Sequence, residues 1–253
     1  ANFRAMLAPE LAQAAHEPLD AMALLYTMLL SPEPAVRAEQ LRQLADQNAG
    51  AVIEAVRRLQ PSASQLEVRS LLPLVMLSLP ALRRLSAEQY GAFAETLKQL
   101  IECDGQVDLF EYTLQRIVQR HLKPQFQPGQ KNVIQYYSLT PLLPDCVVLL
   151  SALARLGHTA ISEMEHAFGT GTRHLAQPVN GLPLLGIADC GLAQIDAALN
   201  RLAQASPAVK KIVLTACAHT VAADGLIQSH EAELLRAIGD TLDCPIPPFV
   251  EGV

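Results

Sequence analysis

Five carboxylates sit where their type and spacing could do chemistry. They are Asp104, Asp108 and Glu111 around Asp104-Gly105, and Asp224 and Glu231 around Asp224-Gly225, 120 residues further on. A carboxylate at a helix end, with a second one turn into the next helix, can hold a hard cation or meet a basic partner surface. The same spacing also suits capping. Gly tolerates positive φ and so ends one helix, while Asp108 with Glu111 three residues on forms a capping box that starts the next. The second copy keeps the Glu but places Gln228 at the cap, with Ser229 beside it. The ladder of acidic and amide ligands of a calcium loop is missing from both. Val107 and Ile227, two residues after each Gly, are expected to plug the turns into the core.

Other catalytic patterns are absent. His16-Glu17 and His230-Glu231 lack the second His, one turn on, of a zinc-peptidase helix. His121, His158, His166, His174 and His219 show no ligand spacing. Gly169-Thr170-Gly171-Thr172 has neither the Lys nor the spacing of a phosphate loop, and no nucleophile elbow occurs. These residues assign the chain no catalytic residue and no cofactor.

The elements that must position the carboxylates repeat with them. Leu79, Leu82 and Ser86 align with Leu199, Leu202 and Ser206, and Leu114, Arg116, Val118 and Leu122 align with Leu234, Arg236, Ile238 and Leu242, at one constant offset without a gap. Of 253 residues 50% are apolar but only 4% aromatic, with no Trp. Mass concentrated in Ala and Leu favours helix over strand, and the fold class is all-α, a duplicated helical bundle with extra N-terminal helices. We divide it into residues 1–124, a Pro-rich connector at 125–144, and a second half at 145–253.

Helices are expected at Pro9 to Leu30, from Pro34, at Ala51 to Leu59, and at Ser64 to Leu72, broken or kinked at Pro73. In the first copy Ala87 to Cys103 carries Tyr90, Phe93, Leu97, Leu100 and Ile101 on one stripe. In the second, Ser206-Pro207 opens a helix with Val209, Ile212, Val213 and Ala216. Lys123 to Pro144 reads as loop. Asp145 to Leu156 and, after a Thr159 cap, Ala160 to Phe168 follow as helices, with a turn at Gly169-Thr170-Gly171 and irregular chain from Gln177 to Gly191. The tail Cys244-Pro245-Ile246-Pro247-Pro248-Phe249 must run extended, with Ile246 and Phe249 packed on the bundle.

The net charge of -6, with basic residues dispersed, gives a nucleic-acid partner no electrostatic support. Five cysteines without a C-x-x-C read as reduced, buried thiols of a cytosolic compartment rather than a disulfide or zinc framework. The apolar runs at Leu71 to Leu82 and Pro141 to Gly157 fall short of a bilayer span. The chain starts at Ala1 without an initiator Met, as a processed, trimmed or excised piece would.

Ile101-Glu102-Cys103-Asp104-Gly105 with Glu111, and Ala223-Asp224-Gly225 with Glu231, resemble the TerB-like (tellurite-resistance) helical domains. Leu72-Pro73-Leu74, Leu79-Pro80-Ala81-Leu82-Arg83 and the stretch from Glu231-Ala232-Glu233-Leu234 to Cys244-Pro245-Ile246-Pro247-Pro248 resemble the C-terminal region of bacterial membrane-anchored zinc metallopeptidases of the HtpX-like class. That resemblance implies a longer parent with transmembrane helices and an H-E-x-x-H zinc peptidase domain upstream. This chain would then be its regulatory or interaction region on the cytoplasmic side of the inner membrane, contacting a protein partner or its own peptidase or membrane domain. The TerB-like resemblance leaves open an ion-sensing role for the acidic turns, and a purely structural packing or oligomerisation role also stays open.

Overall fold

The computed structural model describes residues 7–48, 50–105, 107–126, 133–175, 181–244 and 246. Among them are twelve α-helices and no strand beyond one isolated bridge, Tyr136 with Ala205. The chain falls into two compact units that divide near residue 130.

In the first unit α1 (Pro9–Ala14), α2 (Pro18–Met28), α3 (Pro34–Gln47), α4 (Gly50–Ala63) and α5 (Val68–Leu82) precede α6 (Ala87–Glu102) and α7 (Leu109–Phe126). Helix α2 is buried on nearly every side, from Ala21 to Thr27, because α1, α4, α5 and α6 pack around it. The predicted single helix from Pro9 to Leu30 is therefore two. Pro18 sits at N1 of α2, and the chain breaks at His16-Glu17 just before it. At Pro73 the helix is not broken, since α5 runs through both Pro73 and Pro80. Each proline forfeits one backbone bond, and burial of Leu72, Leu74, Val75, Leu79 and Leu82 outweighs that loss. Helix α7 likewise extends past Lys123 and Pro124 to Phe126, whose ring stacks on Tyr90 at 4.4 Å. The connector residues 127–132 lie outside the described residues.

In the second unit a 3-10 turn (Thr140–Leu142) leads into α8 (Leu143–Gly157), followed by α9 (Ile161–Thr172), a second 3-10 turn (Ile187–Asp189), α10 (Leu192–Leu202), α11 (Pro207–Val221) and α12 (Ser229–Thr241). All four of these later helices pack on α8. The stretch Thr140–Gly157 is long and apolar enough to cross a membrane by composition, with mean hydropathy 1.3, yet 61% of it is buried within the protein. A central helix enclosed by four others needs that composition. The preceding segment is tied to α10: Gln135 N–H donates to Gln204 O at 2.8 Å, and Ser206 N–H donates to Tyr136 O at 2.8 Å.

The expected turn at Gly169-Thr170-Gly171 is helix instead, and the reason is packing. A Cβ on Gly171 would collide with Thr220 Oγ1 and lie 3.0 Å from Ala216 O, so α9 meets α11 at backbone distance only because residue 171 is Gly. Ala160, not Thr159, caps α9. Residues 176–180 and Phe249 lie outside the described residues, while Ile246 reaches Gly239 of α12 as the tail reading required.

Helix boundaries recur at the 120-residue offset. Helices α5 and α10 end at Leu82 and Leu202, Ser86 and Ser206 are the next N-caps, and α7 and α12 begin at Leu109 and Ser229. Leu79, Leu114, Val118 and Leu122 are buried, and so are Leu199, Leu234, Ile238 and Leu242.

Candidate functional site

Both Asp-Gly pairs end a helix as their sequence requires. Gly105 has φ +73° and Gly225 φ +79°, a region only Gly enters without strain. In the first copy Glu111 N–H donates to Asp108 Oδ1 at 2.7 Å and Asp108 N–H donates to Glu111 Oε2 at 2.9 Å, the reciprocal capping box. In the second, Gln228 is the N-cap and its N–H donates to Glu231 Oε2 at 3.0 Å. Val107 and Ile227, however, do not plug the core. They are 41% and 45% exposed. Each directly precedes its N-cap, and the core is closed by residues inside the next helix such as Tyr112 and Leu114 or Leu234 and Leu235.

The two turns differ in what lies against them. Helix α3 sends Gln40 beneath the end of α6, where its Nε2 donates to Leu29 O at 2.9 Å and to Leu100 O at 3.3 Å. Beyond that point the Asp104 and Asp108 carboxylates lie near enough to Glu111 to act on its charge. Burial, with the adjacent Asp108 and Asp104 carboxylates, pushes the Glu111 carboxyl up to about 7 despite its bond from Asp108 N–H. The folded chain therefore binds a proton there that an unfolded chain, near 4.5, does not. Stability contributed by that proton is present below 4.5 and is lost as pH rises through about 7. Thermal melts of Glu111→Gln are expected to show a flatter fall between these pH values than wild type, since Gln still accepts the cap bond but carries no titrating proton. Parallel pH profiles would contradict this.

At the second turn the carboxylate goes inward. Glu231 is 1% exposed and fills the space beside Gly157, where any Cβ would collide with its Oε1. Burial holds its carboxyl above the usual carboxylate range, opposed by the Gln228 N–H bond and by His158. Gln228 Nε2 donates to Gly157 O at 2.7 Å, tying the start of α12 to the end of α8. Next to Gly157, the His158 side chain is 7% exposed; its Nδ1 lies 3.9 Å from Asp224 Oδ2, too far for a hydrogen bond, and its Nε2 is buried without a partner. Asp224 Oδ1 accepts from Leu226 N–H at 2.9 Å. A cleft of about 420 Å³ opens here, lined by His158, Thr159, Ser162, Glu163, His166 and Asp224.

Of the five acidic candidates, Asp104, Asp108 and Glu111 come together at one turn, and Asp224 and Glu231 at the other. Sequence reading set His158 and His166 aside for lack of ligand spacing and did not single out Ser162 or Glu163. Their positions relative to Asp224 follow from α8 and α9 packing beside the second turn, and no local spacing announces that. Among the described residues no three His, Cys, Asp or Glu side chains converge closely enough to hold a metal ion. The cysteines are free thiols, with Cys146, Cys190 and Cys217 buried and Cys103 and Cys244 partly so. No protein-family model, curated protein or solved structure matches the chain.

Proposed function

We propose that the chain is a non-catalytic regulatory or protein-interaction region of a membrane-bound zinc-dependent peptidase, acting on the cytoplasmic side of the bacterial inner membrane. The observation that carries the interaction role is the recess at the second Asp-Gly turn. It is lined by the carboxylates of Asp224 and Glu163 and the imidazoles of His158 and His166, and it adjoins the exposed Leu226 and Ile227, a mixture of polar anchor and apolar contact suited to a protein partner. The peptidase parent rests on the resemblance of the Leu-Pro-rich and C-terminal stretches to HtpX-like enzymes. Zinc belongs, in this reading, to the parent's peptidase domain. Determining the coding sequence directly upstream of Ala1 tests the parent. Hydrophobic spans and an H-E-x-x-H helix are expected there, and a start codon adjoining Ala1 would overturn the assignment.

The ion-sensing alternative, with the two acidic turns of TerB-like modules as cation sites, is separable by melting. Calcium, magnesium or zinc is expected to shift the chain and an Asp104→Asn/Asp224→Asn double variant equally, because the turn carboxylates serve as caps and contacts. A shift confined to the parent chain would favour the sensor.

A further inference from the structure

We propose that a cleft between α6 and α7 receives an extended, proline-flanked apolar segment of a partner protein, of the kind that the chain's own tail lays on the corresponding face of the second copy. This goes beyond the interaction reading above and concerns a different surface.

The two copies part company at the end of their last helices. In the second, α12 stops at Thr241, Asp243 takes φ +60°, and the chain turns back so that Cys244 N–H donates to Gly239 O at 2.9 Å. Ile246 then lies on Gly239, where a Cβ would come 3.0 Å from its Cγ1 and 2.9 Å from Cys244 O. Lys210 of α11 fastens the turn, with its Nζ 2.9 Å from Asp243 Oδ2. The first copy has Gln119, Phe126, Tyr90 and Lys123 where the second has Gly239, Ile246, Lys210 and Asp243. There α7 runs on through Lys123 to Phe126 instead of turning back. Gln119 stays exposed, whereas Gly239 is buried. A cleft of about 330 Å³ opens beside it, and Tyr90, Gln119 and Lys123 all line it. The face covered by the tail in one copy is open in the other.

The lining of the cleft says what it accepts. Leu97 and Val118 are core side chains that give it an apolar base, and a Cβ on Gly91, which also lines it, would meet nothing within 4 Å. Tyr90 adds an aromatic wall, stacked on Phe126. A proline-flanked segment suits such a groove. It carries few backbone N–H groups, so little hydrogen bonding is lost on helices that offer no strand edge, and its extended form is already set, which lowers the entropy cost of docking. The apolar residue between prolines, the place of Ile246 in Cys244-Pro245-Ile246-Pro247-Pro248, would cover Leu97 and Val118. Lys98 and Lys123 outnumber the one lining carboxylate, Glu95. An acidic residue just before the apolar one is therefore favoured, in the way that Asp243 meets Lys210.

The probe is a fluorescein-labelled, C-amidated Leu-Asp-Ser-Pro-Ile-Pro-Pro-Phe peptide, the tail sequence with Ser for Cys, titrated by anisotropy with the 253-residue chain. Saturable binding is expected. It should weaken at least tenfold when the peptide's isoleucine becomes aspartate, and also in Gly91→Leu and Gln119→Phe, which fill the cleft from either helix, in variants whose melting temperatures show them folded. No saturable binding, equal binding of the aspartate peptide, or binding unchanged in both variants would overturn the proposal, the last by placing the peptide elsewhere. Dimerisation of the unlabelled chain that Gly91→Leu abolishes would also overturn it, by making the occupant a second copy's tail. None of these results bears on the recess at the second turn or on the upstream coding sequence, so the readings proposed above stand or fall separately.

Discussion

Gly171→Ala is expected to destabilise the second unit even though alanine is the better helix former. The propensity gain is about 1 kcal/mol. Against it, the new methyl meets Thr220 Oγ1 and the backbone oxygen of Ala216, and Leu150 Cδ2 lies 3.3 Å away. Thr220 can rotate at the loss of its 3.1 Å bond to Ala216 O, but the Ala216 carbonyl moves only if α9 and α11 separate. Overpacking of this kind costs about 1–3 kcal/mol, and since backbone must shift we expect a net loss of about 2 kcal/mol, several degrees in melting temperature for a unit of this size. Gly169→Ala is the control on the same helix. Its Cβ would meet nothing within 4 Å, so the propensity gain should survive and the melting temperature rise. If both substitutions stabilise equally, α9 and α11 do not meet at Gly171 as described.

Arg201→Met should have an effect of similar size by a different route. Asp145 is buried, and Arg201 Nη1 lies 2.9 Å from its Oδ2 while Nη2 donates to Pro141 O at 3.1 Å. The same guanidinium lies 5.7 Å from the centre of the Tyr136 ring, so one side chain joins the end of the connector to α8 and α10. Burial raises the Asp145 carboxyl above its ordinary range, opposed first by Arg201 and then by a backbone N–H bond. Removing the arginine leaves a buried carboxylate without its counter-charge. The full cost of breaking a buried pair is about 3–5 kcal/mol, reduced here to about 2 kcal/mol because Arg201 is itself nearly half exposed. The sign with pH follows: without Arg201 the folded-state carboxyl rises further, so the variant regains stability as pH falls and loses it as pH rises through that raised value. Combining Arg201→Met with Asp145→Leu should recover much of the loss at neutral pH. A double variant no more stable than Arg201→Met alone would show that the ion pair is not the reason.

What could be read beforehand was what depends on neighbours in sequence. Positive φ at Gly105 and Gly225, the Asp108–Glu111 box and the stripe from Tyr90 to Ile101 are all set within a few residues, and each appeared where expected. Misreadings occurred where a distant contact outweighed a local preference. Pro73 and Gly171 both speak against helix locally; in the folded chain one is carried by the apolar face of α5 and the other is the residue that lets α11 approach. The second turn shows the same divide. Asp224 and Glu231 were found by their spacing, but the inward turn of Glu231 needs a residue without a side chain at position 157, seventy-four positions upstream. His158 and Glu163 join the cleft only through that packing.

The proposal that this chain serves a peptidase without being one is tested most directly by activity. Casein incubated with the purified 253-residue chain and added zinc should remain intact, with no difference on adding EDTA. Cleavage that zinc supports and EDTA abolishes, and that copurifies with the folded chain, would contradict the account.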